Sequence, residues 1–339
     1  MERLLEVKDL AISFKTRGGE VQAIRGVSFH VDKGETLAIV GESGSGKSVT
    51  SQAIMKLLPT PQAQYKRGQI LFDGQELIGK SDKQMQKIRG KEIGMIFQDP
   101  MTSLNPMMKV GRQITEVLFR HENISKDAAV KRGIELLHLV GIPSPERRFQ
   151  QYPHEFSGGM RQRVTIAIAL LLDPLLIIAD EPTTALDVTI QAEIISLLLD
   201  LCASNNVALM LITHDLGVLS QMTRRMIVMY SGRVIEQGPT KEIINDAQHP
   251  YTQGLINALP QQTKPGQRLK QIQGTMPALG RIPAGCPFNP RCEYATDTCR
   301  SQIPPMSQFA KVQVACHEVQ RLQFEAGTGT GATRKEELA

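Results

Sequence analysis

At 339 residues the chain is long enough for one large domain with an extension, or for two domains, and an apolar share of 41% supplies a substantial core. The net charge of +5 is mild and spread along the chain, and aromatic residues make up only 4%. That argues against a nucleic-acid surface built from a basic stripe and stacking rings. The opening Met1-Glu2-Arg3-Leu4-Leu5-Glu6 is charged at once, and no run reaches the roughly twenty apolar residues that a membrane-spanning helix needs. The longest candidate, 166–179, is broken by Asp173 and Pro174. The expectation is a cytosolic protein with at most a peripheral membrane role, whose five cysteines form no structural disulfides.

Residues 4–14 and 21–31 alternate apolar and polar side chains and predict two antiparallel strands joined by a turn at Thr16-Arg17-Gly18-Gly19. Phe14 closes the first strand. An aromatic just upstream of a nucleotide site can stack on adenine; the same residue also reads as core. The run 36–40 predicts a buried strand, and 48–58 predicts a helix stopped by Pro59. Between them stands Gly41-Glu42-Ser43-Gly44-Ser45-Gly46-Lys47-Ser48, followed by Val49, which matches the phosphate-binding pattern G-x-x-x-x-G-K-[ST]. Glycines let backbone amides turn onto phosphate oxygens, and the helix start adds partial positive charge. Lys47 can reach the β- and γ-phosphates, and the Ser48 hydroxyl can ligate Mg²⁺.

Gly68 to Gly74 predicts a strand and tight turn, and Gly94 to Pro100 predicts an apolar strand that ends abruptly at Gln98-Asp99. A glutamine there can ligate Mg²⁺ or orient water; it also reads as a surface residue. Residues 111–150 are helical in pattern, with Val130, Ile134 and Leu137 on one face and Lys126, Lys131 and Arg132 elsewhere, as in a helical insertion in an α/β core. Ser157 reads as an N-cap, with Gly158 and Gly159 opening a helix that runs on from Val164 to Leu172. Its free amides make a second anion site.

The apolar run 175–179 fits a central strand of a parallel sheet, at whose C-terminal end ligands bind. Asp180 there can hold Mg²⁺ through water, and Glu181 can act as general base toward water. Ala185-Leu186-Asp187 precedes an amphipathic helix over 189–204. A buried strand from Val207 ends at His214, a candidate γ-phosphate sensor where a lone histidine is otherwise structural. A hairpin around Ser231-Gly232 spans 226–238, and 240–259 is helical.

Taken in order, these motifs closely resemble the ATP-binding subunits of ABC transporters over residues 3–260. Gln98 matches the Q-loop, Phe156-Ser157-Gly158-Gly159-Met160 the signature, Asp180 and Glu181 the Walker B pair, 185–187 the D-loop and His214 the switch histidine. Phe14 stands where the family's adenine-stacking aromatic belongs. Phe156 and Met160 depart from the usual LSGGQ, whereas the Ser-Gly-Gly amides are kept. A narrower resemblance, to the di- and oligopeptide (and nickel) importers, rests on 98–106 and on His249-Pro250-Tyr251-Thr252 and extends over nearly the full chain.

The resemblance implies an α/β P-loop NTPase (RecA-like) core with an antiparallel β subdomain and an all-helical insertion, 1–259 in all with the insertion at about 99–170. It also implies ATP, with Mg²⁺ held by Ser48, Gln98 and Asp180. Lys47, Gln98, Glu181 and His214 would be the catalytic residues. Two such domains would dimerise head to tail, so that ATP on Gly41, Ser43, Gly44, Ser45, Gly46, Lys47, Ser48 and Val49 of one meets Ser157, Gly158 and Gly159 of the other, with Asp187 nearby. The implied partners are two permease subunits, a solute-binding protein, and a second ATPase subunit or another copy, at the cytoplasmic face of the cell (inner) membrane. Other readings are a soluble ABC ATPase acting on ribosomes or nucleic acid, a nickel or other small-solute importer, and a binding-only module. Intact Lys47, Asp180, Glu181 and His214 argue against the last.

The extension, 260–324, begins as a Gln-, Gly- and Pro-rich linker to about 285. It carries Cys286, Cys292, Cys299 and Cys316 in the spacing C-x5-C-x6-C-x16-C. Four thiolates can hold a [4Fe–4S] cluster or Zn²⁺, and the four also read as unmetallated thiols; the C-x2–4-C pairs usual for zinc are absent, and the wider spacing suits the larger cluster. Some importers resembling this chain carry such a pattern with [4Fe–4S]. Cys202 reads as a small buried residue, and the tail 325–339 as disordered.

Overall fold

A computed structural model describes residues 2–184, 186–214, 216, 219, 223–258 and 271–322. The reading of 260–270 as linker, of 325–339 as tail, and of Ala185 in the D-loop lies outside the described residues.

Strands β1 (Arg3–Thr16) and β2 (Gly19–Asp32) pair antiparallel through the turn at 17–18, as their alternation predicts. With β4 (Ala63–Phe72) and β5 (Gln75–Glu76) they form a four-stranded sheet in the order β2-β1-β4-β5. The connection after β4 places Asp73 at φ 44° and Gly74 at φ 74°, a left-handed pair suited to a tight hairpin.

The larger sheet contains β3 (Thr36–Val40), β6 (Ile93–Ile96), β7 (Leu176–Asp180), β8 (Ala208–Ile212), β9 (Arg225–Tyr230) and β10 (Arg233–Pro239). β6, β7, β8, β3 and β9 lie side by side in parallel, and β10 returns antiparallel through Ser231 (φ 47°) and Gly232 (φ 74°). Strand residues alternate between two cores. Leu37, Ile39, Ile178, Met210 and Ile227 face the four-stranded sheet and helix α1 (Lys47–Ile54). Ala38, Val40, Ile177, Leu209 and Val228 face the helices. Such both-sided burial explains why these strands read as unbroken apolar runs, each buried Leu or Ile contributing about 1.5–3 kcal/mol.

Helix α2 (Asp82–Ile88) starts at a capping box formed by Ser81 and Gln84. The helical face of the core comprises α3 (Pro100–Ser103), α4 (Val110–His121), α5 (Lys126–Leu139), α6 (Pro145–Phe149), α7 (Gly158–Leu170) and α8 (Val188–Ser204). On α5, Leu137 is buried with Ala129 and Gly133, while Val130 and Ile134 pack from the edge of the same stripe.

Two boundaries differ from the sequence reading, the end of α1 and the stretch 240–259. α1 ends at Ile54, ahead of Pro59: Lys56 turns to φ 49°, and Arg89 binds the carbonyls of Met55 and Lys56. The start of α7 is where the sequence puts it: Ser157 Oγ accepts the Met160 amide at 3.3 Å and caps a helix that opens at Gly158. The stretch 240–259 is two helices, α9 (Thr240–Asn245) and α10 (Pro250–Asn257). The second is capped by His249 Nδ1, which accepts the Tyr251 amide at 3.0 Å.

The C-terminal segment adds α11 (Asp297–Ser301) and strands β11 (Ser307–Phe309) and β12 (Val312–Val314). β12 pairs antiparallel with β10, so the extension lengthens the larger sheet. Its Cys286, Phe288, Cys299 and Val312 join the helix-side core.

Candidate functional site

The site forms at the C-terminal ends of β3, β6, β7 and β8. Gly41 leaves β3 at φ 148°, where a Cβ would lie 2.3 Å from the Met229 carbonyl oxygen. Gly46, at φ 104°, is the N-cap of α1, and a Cβ there would lie 2.8 Å from Ile24. These two positions require glycine, and they let the loop wrap the start of α1. A cavity of about 380 Å³ opens there, within the range of small-ligand sites. Ser43, Gly44, Gly46, Lys47, Ser48 and Val49 line one side; Gln98, Glu181 and His214 line the other.

Lys47 is 4% exposed and donates to the carbonyls of Gly41 (2.8 Å) and Glu42 (3.1 Å). Its Nζ is 3.8 Å from Glu181 Oε1. Burial lowers the Lys47 pKa, while Glu181 and Asp180 pull it back up. Ser48 Oγ donates to Asp180 Oδ1 at 2.9 Å, and Ser51 Oγ to Oδ2 at 3.1 Å. Asp180 is 3% exposed; burial raises its pKa against those two hydrogen bonds. Ser48 and Asp180 thus put hard oxygen donors side by side at the phosphate end of the cavity, the donor set that suits Mg²⁺.

Glu181 stands at φ 48°, a left-handed conformation rare for glutamate, fixed by its amide donating to the Ile212 carbonyl at 2.9 Å. Three side chains meet its Oε2: Gln98 Nε2 at 2.8 Å, Thr184 Oγ1 at 3.2 Å and His214 Nδ1 at 3.6 Å. Gln98 is therefore engaged with Glu181, and it lines the same cavity as Ser48. The contacts of Thr184 and Ser51 were missed in the sequence; both are ordinary hydroxyls at helix and turn positions, without a motif of their own.

Phe14 pairs with Val21 and Ala63 and packs on the core beneath the four-stranded sheet. Phe14 is not among the residues lining the cavity, whereas Ala23, two positions beyond its partner Val21 on β2, is. Ser157, Gly158 and Gly159 lie outside the cavity: Cβ atoms on the two glycines would meet Leu186 at 3.1 Å and Ile190 at 2.9 Å. Asp187, exposed at the N-cap of α8, belongs to that same neighbourhood. The chain thus holds two separate anion-seeking helix starts. Leu279 of the extension lines the phosphate cavity, and Met276 Sδ is 4.0 Å from where a Gly44 Cβ would lie. No sequence signal marked either.

The four extension cysteines line one small enclosed cavity with His249, Phe288 and Glu318. Burial raises the thiol pKa of Cys286 to about 11, of Cys316 to about 12 and of Cys292 upward, and Thr296 Oγ1 donates to Cys299 Sγ at 3.4 Å. Among the described residues no group of three or more His, Cys, Asp or Glu side chains is placed to hold a metal ion. The expected metal cluster therefore receives no support from the geometry, since a metal needs its ligands at coordinating distance. Cys202 is buried, with its thiol raised to about 12, an inert core residue as expected. No described helix is long and apolar enough to cross a membrane.

The profile of the ABC transporter family matches residues 24–184, and that of the oligopeptide/dipeptide transporter C-terminal region matches 235–299. The oligopeptide transport ATP-binding protein OppD of Bacillus subtilis (strain 168) is 64% identical over 305 residues, 90% of this chain and 85% of that one. The dipeptide transport ATP-binding protein DppD of the same organism is 54% identical over 304 residues, 90% of this chain and 91% of that one. Among solved structures, the dimeric ATP-binding cassette MJ0796 in a post-hydrolysis state with ADP and Pi superposes with a TM-score of 0.63 at 28% identity, covering 70% of this chain and 99% of that one. With the loop at 41–48, Asp180 and Glu181 assembled as described, the chain belongs to the ATP-binding, ATP-hydrolysing subunits of the peptide-transporting ABC family.

Proposed function

We propose that this chain energises the import of di- or oligopeptides, working as one of a pair of ATPase subunits on the cytoplasmic face of a membrane permease. The observation that carries the reading is the meeting of Lys47, Ser48, Gln98, Glu181 and His214 in one cavity, with Asp180 hydrogen-bonded to Ser48, while Ser157-Gly158-Gly159 lies outside it. A nucleotide in that cavity is served from one side only, so a second ATPase subunit supplies the missing amides.

Lys47 leaves the carbonyls of Gly41 and Glu42 for the β- and γ-phosphates, trading two neutral acceptors for anionic ones. Ser48 and Asp180 would hold Mg²⁺, which neutralises charge on the phosphate oxygens. Glu181 takes the proton of the attacking water, and Gln98 and His214 on its Oε2 aim the carboxylate. Burial disfavours the charged forms of Lys47 and Asp180; phosphate oxygens would favour the Lys47 cation and Mg²⁺ the Asp180 carboxylate.

Phe97 (45% exposed) and Met107 (86% exposed) flank the Gln98 segment and offer an apolar contact to a permease loop. Through them, movement of Gln98 on nucleotide turnover reaches the membrane partner. Phe14 as the adenine-stacking ring is part of this reading. The [4Fe–4S] cluster is kept as a proposal on cysteine spacing alone, and iron and acid-labile sulfide analysis of anaerobically purified protein tests it.

Reconstitution with the permease subunits and binding protein in vesicles tests the function. ATP-dependent uptake of labelled peptides is expected, and its loss in Lys47→Ala. Uptake of nickel but not peptide would overturn the substrate assignment.

A further inference from the structure

The phosphate loop is gripped from the extension. Arg291 makes a two-pronged ion pair with Glu42, Nη1 to Oε2 at 2.9 Å and Nη2 to Oε1 at 3.1 Å, across 249 positions of chain. The Arg291 side chain is 7% exposed, and its guanidinium lies 5.9 Å from the ring centres of both Tyr230 and Phe288. Planar pairing plus aromatic stacking fixes an arginine in a way a lysine does not reproduce. The Glu42 amide donates to Tyr251 Oη at 2.8 Å, and the Glu42 carbonyl accepts Lys47 Nζ at 3.1 Å. Every polar group of Glu42 is thus engaged, two by the C-terminal region and one by the lysine that must reach the phosphates.

We infer that Arg291 is a positioning residue for ATP: through Glu42 it sets the phosphate loop, and the place where Lys47 waits, so the extension tunes nucleotide affinity. Glu42 occupies one of the variable positions of the loop pattern, where no motif demands an acid. Arg291 stands beside Cys292 and is stacked on Phe288, which lines the cysteine cavity, so a change in the extension has a short path to the loop. The inference rests on the loop at 41–48 being the ATP site.

The test is steady-state ATPase of the assembled transporter, with MgATP binding to the full chain. Arg291→Ala is expected to raise the KM for ATP at least about fivefold with kcat within about twofold of wild type. Arg291→Lys should restore part of the affinity. Glu42→Gln should raise KM similarly, and combining it with Arg291→Ala should add little, since both remove one pair. Tyr251→Phe keeps the ring packing and should raise KM by a smaller factor, which covers the case in which Arg291→Ala folds poorly. An unchanged KM in Arg291→Ala and Glu42→Gln, or effects that simply add, would overturn the inference. Lys47→Ala separates the two ideas: if it still bound MgATP normally, the assignment of the loop itself would fall.

Discussion

Glu181 is held in a strained backbone conformation with three side chains on one of its oxygens, and under the proposed function that arrangement would serve proton transfer more than packing. Glu181→Gln keeps the shape and removes the base. It should bind MgATP as wild type does and lose at least about a hundredfold in kcat, the size of a general-base contribution, as phosphate release would show. Turnover within a few-fold of wild type would instead assign the proton to another group. Gly41 offers a different kind of test. An alanine there would press its Cβ to 2.3 Å from a backbone oxygen that has no rotamer to escape into. Gly41→Ala should therefore abolish nucleotide binding and lower the melting temperature together, whereas Glu181→Gln should leave the melting temperature almost unchanged.

Among the elements, α10 depends on a neutral histidine. His249 is fully buried, and its Nδ1 must accept the Tyr251 amide, a role only the unprotonated ring can fill. Burial pushes its pKa down to about 3. Between the ordinary histidine value near 6.5 and that depressed one, the unfolded chain binds a proton that the folded chain refuses. Stability is therefore lost as pH falls through that window, by up to about 1.4 kcal/mol per pH unit. Thermal melts from pH 7 to pH 5 should show the decline, and His249→Asn, which can cap without titrating, should flatten it. A variant that keeps the wild-type slope would assign the acid sensitivity elsewhere. This cap was hidden in the sequence, where 240–259 reads as one helix, because His-Pro-Tyr shows its role only once Tyr251 reaches Glu42. The strands and turns were legible, since Asp73-Gly74 and Ser231-Gly232 carry their own backbone chemistry and β7 is apolar on both faces. The end of α1 was not, because it depends on Arg89 from a distant helix end. Motif residues announce a nucleotide by type and spacing; Arg291, paired with Glu42, and Leu279, on the cavity wall, are brought there from far along the chain by the fold.

At the scale of the whole molecule, the argument turns on the two anion-seeking helix starts. α1 faces the phosphate cavity; α7 begins among Leu186, Ile190 and Asp187, outside it. If one nucleotide spans two subunits, damage at the start of α7 must spare binding on the chain's own loop and disable catalysis in the assembly. Ser157→Arg places a long cation at that helix start and removes the cap on the Met160 amide, costing about 1 kcal/mol of local stability, far less than a fold needs. The isolated variant should therefore bind MgATP with wild-type affinity. In the assembled transporter, hydrolysis should fall by at least about half: both composite sites are lost if the ATPase subunits are identical, and one of two if they differ. The two measurements have to part company. Joint loss of binding and hydrolysis would mean that α7 acts within its own chain, and full retention of hydrolysis would mean that the second anion site takes no part in the reaction.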